Sequence, residues 1–213
     1  MKNLYIMSEL LKLHPVNPEK RKIKHIVDVL KKGGLIIYPT DTLYGLGCDI
    51  ANAKAVEKIA KIKGINPKKA NFSFIIPSLS YINSYAKPFG NHIYKVMKKN
   101  LPGPFTFILN ANNALPKMMK NNKKTVGVRI PAHTIVQEIV SALGNPLMST
   151  SIVNIDDDIV PYPTDPEEIY EKYKQLVDIV IDGGPGGLEP STVVDCTGDD
   201  LQIIRQGKGE LIY

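Results

Sequence analysis

The sequence predicts an α/β layered fold built on a mixed sheet. Two observations carry that expectation. Amphipathic helical stretches alternate with short β-branched or aromatic runs bounded by Pro, Gly or Asn, and several of those runs follow one another with no helix between them. The alternation points to layered α/β architecture. The consecutive strands exclude a purely parallel sheet, in which every connection needs a crossover. A chain of 213 residues can bury one substantial core. One domain is expected over residues 17–213, with residues 1–16 as an N-terminal extension.

In chain order, NPEKRKIKHIVDVLKKGG puts Ile23, Ile26, Val27 and Leu30 at helical spacing. Asn17 is the expected cap, Pro18 the first helical position and Gly33-Gly34 the stop. LIIYP reads as a strand. AKAVEKIAKIKG follows as a second helix, with Ala55, Ile59 and Ile62 on one face and Gly64 closing it. NFSFIIP, PFTFILN, TVGVRIP, PLMSTS, VDIVID, STVVDC and LQIIR are further strands, and helices are expected over 79–85, 90–99, 134–143 and 167–174. NIDDDIVPYPTD, residues 154–165, joins an acidic run to two prolines and reads as either a surface loop or an active-site lid.

Composition excludes several classes. Hydrophobic content of 43% with 23% charged residues is that of a globular chain rather than a disordered one. No apolar run approaches the roughly 20 residues that span a bilayer. The opening MKNLYIMSELLKLH is interrupted by Ser8, Glu9 and Lys12, unlike a signal h-region. No membrane association and a cytoplasmic location are therefore expected. Cys48 and Cys196 are too isolated for a zinc site or a disulfide framework, and His14, His25, His92 and His133 lack metalloenzyme spacing, so no metal-binding residue is assigned. The net charge of +6 favours phosphate-bearing ligands, nucleotides or RNA.

In an open α/β sheet ligands collect beyond strand ends. Four polar clusters occupy such positions: Thr40-Asp41-Thr42 with Tyr44, Arg129 in VGVRIP, Ser149-Thr150-Ser151, and Ser191-Thr192. Singly, each has a structural explanation: a hydroxyl-closed turn, an ion pair or a cap. Together, hydroxyls and a guanidinium are what holds a carboxylate or phosphate. Lys63, Lys68, Lys69 and Arg205 supply further positive charge, although lysines at a helix C-terminus also answer the helix dipole. Gly183 to Gly187, GGPGG, is either a flexible loop or an amide nest, and it matches neither the Walker nor the Rossmann pattern.

The succession GGLIIYPTDTLYGLGCDI, KIKG, LPGPFTFIL, VGVRIPAH, PLMSTS, PSTVVD and IIRQGKGEL resembles the YrdC-like family, which includes threonylcarbamoyl-AMP synthases of tRNA modification. The resemblance implies a twisted open mixed sheet with flanking helices and a concave basic face. It implies synthesis of L-threonylcarbamoyladenylate and pyrophosphate from threonine, bicarbonate and ATP, with Mg²⁺ accompanying ATP and no tightly bound cofactor, for the t6A base of tRNA. By resemblance, Lys63, Asp41 and Arg129 form the catalytic set. Thr40, Thr42, Tyr44, Arg129 and Ser151 hold the amino acid. Lys63, Lys69, Ser149, Thr150, Ser151, Ser191, Thr192 and Arg205 face the nucleotide.

The likeness departs at two points. The synthases carry K-x-R after the second helix and S-x-N after the hydroxyl run, where this chain has Lys63-Gly64-Ile65 and Ser151-Ile152-Val153. Losing a buried arginine contact to a triphosphate costs about 2 to 5 kcal/mol. With KKANFSFII, these departures resemble the YciO-like branch of the family. Weak or altered synthase activity is the first expectation. The alternatives are a tRNA- or double-stranded-RNA-binding or nucleotide-binding protein without that activity, or a hydrolase of a related carbamoyl-adenylate or nucleoside. A monomer or homodimer is expected.

Overall fold

The computed structural model describes residues 8–66, 72–113, 124–153 and 162–213. In chain order these form β1 (Glu9–Lys12), α1 (Lys20–Lys31), β2 (Ile36–Tyr38), β3 (Gly45–Asp49), α2 (Ala53–Ile62), β4 (Ser73–Ile75) and a 3-10 turn (Leu79–Ser84). There follow α3 (Asn91–Asn100), β5 (Phe105–Asn110), β6 (Thr125–Arg129), α4 (Thr134–Leu143), β7 (Leu147–Ser151), α5 (Pro166–Tyr173), β8 (Ile179–Asp182), β9 (Thr192–Asp195) and β10 (Gln202–Arg205). The strands form one ten-stranded sheet in the order β1-β8-β2-β3-β7-β4-β6-β5-β9-β10. Pairs β1-β8, β8-β2, β4-β6 and β5-β9 are parallel and the rest antiparallel, so the sheet is mixed as expected.

Local chemistry explains most boundaries. Asn52 caps α2 by accepting from the Ala55 amide, and Asp165 does the same for Glu167 ahead of Pro166. Gly144, at φ 78°, closes α4 in the left-handed region. The start of α1 differs from expectation. Its cap is Glu19 rather than Asn17, because the His14 ring nitrogen accepts from the amides of Val16 and Asn17 and holds that stretch as a turn. The 79–85 helix is a 3-10 turn. Part of the N-terminal extension, Glu9–Lys12, adds an edge strand to the sheet.

The two faces of the sheet are covered unequally. One face carries a continuous apolar layer of Leu46, Cys48, Phe74, Phe107, Val128 and Met148, packed under side chains from α2, α3 and α5. The other is covered by α1 and α4, whose Ile23, Ile26, Leu30, Ile135 and Ile139 pack on Leu11, Ile36, Ile75, Leu147, Ile179 and Ile181. That second layer stops near β7 and β4, and beyond it no described helix overlies the sheet. Among the described residues no helix is long and apolar enough to cross a membrane.

Candidate active site on the uncovered face

The uncovered part of the sheet is where alternation turns small and polar side chains. Successive residues of a strand face opposite sides. In β5, Phe105, Phe107 and Leu109 are buried while Thr106 and Ile108 are half-buried; in β6, Val126 and Val128 are buried while Gly127 and Arg129 are half-buried. Register places Ser73 opposite both Ser149 and Gly127. A Cβ on Gly127 would lie 3.3 Å from Thr106 Cγ2 and 3.5 Å from Ser73 Cβ, so these residues share one face. The floor is thus Ser149, Ser73, Gly127 and Thr106.

At one end stands the turn after β2. Thr40 Oγ1 donates to the Leu43 carbonyl at 2.7 Å and accepts from the Thr42 amide at 3.0 Å, closing a hydroxyl turn. Arg129 Nη2 donates to Thr42 Oγ1 at 2.9 Å and lies 3.4 Å from Asp41 Oδ1. Asp41 Oδ2 accepts from the Ala132 amide at 2.9 Å. Burial pulls the Arg129 pKa down and the Asp41 carboxylate partly restores it. Two buried nitrogens in this region, Arg129 Nε and His133 Nδ1, have no hydrogen-bond partner among the described residues. Buried polar groups are ordinarily paired, so two orphans beside one carboxylate are consistent with polar groups that a ligand completes.

The opposite end is assembled from other elements. Lys63, the C-terminal cap of α2, donates through Nζ to the Ser151 carbonyl at 3.1 Å. Ser151 Oγ makes a short hydrogen bond to the Val153 carbonyl. The two aliphatic residues that replace the synthase signature go to different places: Val153 packs into the apolar layer on the covered face, and Ile65 is 38% exposed. Near the β9 edge, Ser191 Oγ lies 2.8 Å from Thr106 Oγ1, and Arg205 donates to the Ser191 carbonyl at 2.6 Å and to its hydroxyl at 3.2 Å.

The structure therefore brings together Thr40, Asp41, Thr42 and Arg129, gathers Ser149, Ser151 and Lys63, and joins Ser191 to Arg205. Three sequence-assigned residues depart from this. Thr150 alternates to the covered face beside Met148 and opposite Leu46. Thr192, fully buried, accepts from the Gly207 and Gly209 amides and donates to the Gly209 carbonyl, so its hydroxyl anchors the last turn. Tyr44 is buried with its hydroxyl on the Gly184 carbonyl at 2.7 Å. The glycine loop is accordingly neither free nor an amide nest: Gly186 N binds the Thr164 carbonyl and Gly187 N the Thr42 carbonyl. Lys68, Lys69, and residues 154–161 of the expected loop or lid lie outside the described residues.

Three contributors escaped the sequence reading. Lys208 donates to the Asp41 carbonyl at 2.7 Å, carried there by the turn that Thr192 holds. His133, cap of α4, feels the Asp41 charge, although burial is the larger influence and lowers its pKa. Tyr38 donates to Ser149 Oγ. The GKG spacing hinted at Lys208; nothing local identified the other two.

Fold and side-chain placement define a mixed-sheet α/β protein with a hydroxyl- and guanidinium-lined candidate ligand face. Residues 28–207 match the Sua5/YciO/YrdC family model, described as "Telomere recombination", and the chain belongs to that family. It is 37% identical to YciO of Escherichia coli over 206 residues, 96% of this chain and 98% of that protein. The crystal structure of E. coli YciO superposes with a TM-score of 0.87, covering 96% of this chain and 98% of that one. The threonylcarbamoyl-AMP synthase of Halorhodospira halophila is 29% identical over 177 residues, 81% of this chain and 88% of that protein. Pyrococcus abyssi Sua5, solved with L-threonine, is 28% identical with a TM-score of 0.84, covering 94% of this chain and 58% of that longer one.

Proposed function

We propose that the protein is a threonylcarbamoyladenylate synthase-type enzyme that joins threonine, bicarbonate and ATP into threonylcarbamoyl-AMP and pyrophosphate. The observation that carries this reading is the buried Nε of Arg129, without a partner among the described residues, beside the Thr40-Asp41-Thr42 turn, on a face that also bears Ser149, Ser151 and Lys63. Threonine's carboxylate meets Arg129 and its hydroxyl or amine meets the 40–42 turn. The threonine nitrogen attacks the bicarbonate carbon and water leaves; a carbamate oxygen then attacks the α-phosphorus of ATP as pyrophosphate departs. Each step needs positioning and charge neutralisation more than a protein nucleophile, and Lys63, Arg205 and ATP's own Mg²⁺ supply it. In this reading Mg²⁺ enters with the phosphates of ATP. Family membership alongside a threonylcarbamoyl-AMP synthase supports the reading.

A second reading has a specific observation behind it. With Ile65 in solvent and Val153 in the core, neither replaces the polar group of the synthase signature. The same face then serves nucleotide or RNA binding without turnover. Purified protein incubated with ATP and bicarbonate, with and without threonine, decides between them. Threonine-dependent pyrophosphate and a carbamoyl-adenylate product are expected; their absence, with ATP or RNA still bound, selects the second reading. Salt-sensitive RNA binding would mark that outcome.

A further inference from the structure

Tyr38 ends β2 and is fully buried, yet its hydroxyl acts two strands away. The ring lies across β3: a Cβ on Gly45 would sit 2.9 Å from Tyr38 Cζ, and one on Gly47 2.9 Å from Cε1. Both glycines of the GLG run are therefore clearances for this ring. The phenol crosses them and donates to Ser149 Oγ on β7 at 2.5 Å. A serine hydroxyl has one proton and two lone pairs. Tyr38 fills one lone pair, and among the described residues no acceptor takes the proton. Ser149 stands on the floor of the ligand face, where Ser73 Oγ donates to its carbonyl at 3.3 Å. Burial raises the phenol pKa, so Tyr38 stays a neutral donor across the physiological range, while the nearby Arg129 charge acts in the opposite, smaller sense.

We propose that Tyr38 is a positioning residue that turns the Ser149 proton outward, making Ser149 an obligatory hydrogen-bond donor to an acceptor oxygen of the bound phosphate-bearing ligand. The ligand class rests on the proposed function; the relay does not require the synthase reaction. Mg-ATP and, separately, inorganic phosphate are the probes, titrated calorimetrically against the wild type, Tyr38→Phe, Ser149→Ala and the double variant, with thermal melting as the folding control. Ser149→Ala is expected to weaken the bound probe about tenfold or more, the size of a hydrogen bond to a charged acceptor. Tyr38→Phe should weaken it about three- to tenfold.

The discriminating result is the double variant, which should bind no worse than Ser149→Ala alone, because Tyr38 acts only through Ser149. A merely structural role for Tyr38 would make the losses multiply. Site-specific Tyr38→3-fluorotyrosine keeps the ring and strengthens the donor, so it should tighten binding even if Tyr38→Phe fails to fold. Multiplying losses, wild-type affinity in Tyr38→Phe, or unchanged affinity in the fluorinated protein overturns the relay. Phosphate binding that follows the pattern without any Mg-ATP binding supports the relay while rejecting the synthase reading; no binding of either probe rejects both.

Discussion

The two ends of the candidate ligand face differ in how closely each matches the synthase pattern. Around Thr40, Asp41, Thr42 and Arg129 the hydroxyls, carboxylate and guanidinium bind one another or backbone at 2.7 to 3.4 Å, and Lys208 closes the turn from a distant part of the chain. Around Lys63 and Ser151 the difference lies in two aliphatic positions: Lys63 reaches the Ser151 carbonyl, while Val153 turns into the core and Ile65 into solvent. Donors already fixed by the fold bind a ligand without further ordering cost. On the synthase reading proposed above, the first end would serve recognition, and the second, where the aliphatic replacements lie, would be the place where activity varies.

The largest test of that contrast is Arg129→Ala. It leaves Asp41 without its cation, and removing one partner of a buried pair costs about 3 to 5 kcal/mol; urea unfolding should show a loss of that order, and calorimetry a loss of threonine binding of about a hundredfold or more. Next comes Val153→Asn. Its side chain would enter the apolar layer, so a loss of about 1 to 3 kcal/mol of stability is expected from the buried amide, with no gain in adenylate formation. If turnover rises instead, Val153 leaves the core easily and the two ends are less different than the structure indicates.

Lys63→Ala should weaken Mg-ATP by about tenfold with little change in threonine affinity, since a single partly solvated charge contact is worth about 1 to 2 kcal/mol. Equal loss for both ligands would erase the division between the ends. Ile65→Arg changes an exposed position and should leave stability within about 0.5 kcal/mol; increased pyrophosphate release would show that this position limits turnover. The smallest effect concerns His133, whose pKa is lowered by burial from the ordinary 6.5. The unfolded chain then binds the proton more readily than the folded one. Stability should decline as pH falls from about 6.5 toward the lower folded pKa, and level off below it. His133→Gln should flatten that decline in denaturation curves collected across this window.

Much of the fold was legible because it follows from local pattern. Helical spacing located α1, α2 and α4, and β-branched runs located β2 and β4 to β10, since burial of one face imposes its own period on the chain. β3 was missed because Gly45 and Gly47 have poor strand propensity, and their reason for being glycine lies in the Tyr38 ring of the neighbouring strand. β1 was missed because a four-residue edge strand acquires its pairing only from β8, far along the chain.

The candidate site divides in the same way. Residue types at strand ends pointed to Thr40, Asp41, Thr42, Arg129, Ser149, Ser151, Ser191 and Arg205 as candidates, because hydroxyls and guanidinium groups carry their chemistry with them, and the structure places them at or beside the uncovered part of the sheet. The sequence by itself thus determined the layered class, the family and the chemical character of the site. Tertiary structure alone decided which hydroxyls face the uncovered side of the sheet. Strand alternation turned Thr150 away, packing assigned Tyr44 and Thr192 to loop anchoring, and long-range contacts brought in Tyr38, His133 and Lys208. The physical reason is that a side chain's type is local, while its direction and its partners are set by register and packing between segments far apart in the chain.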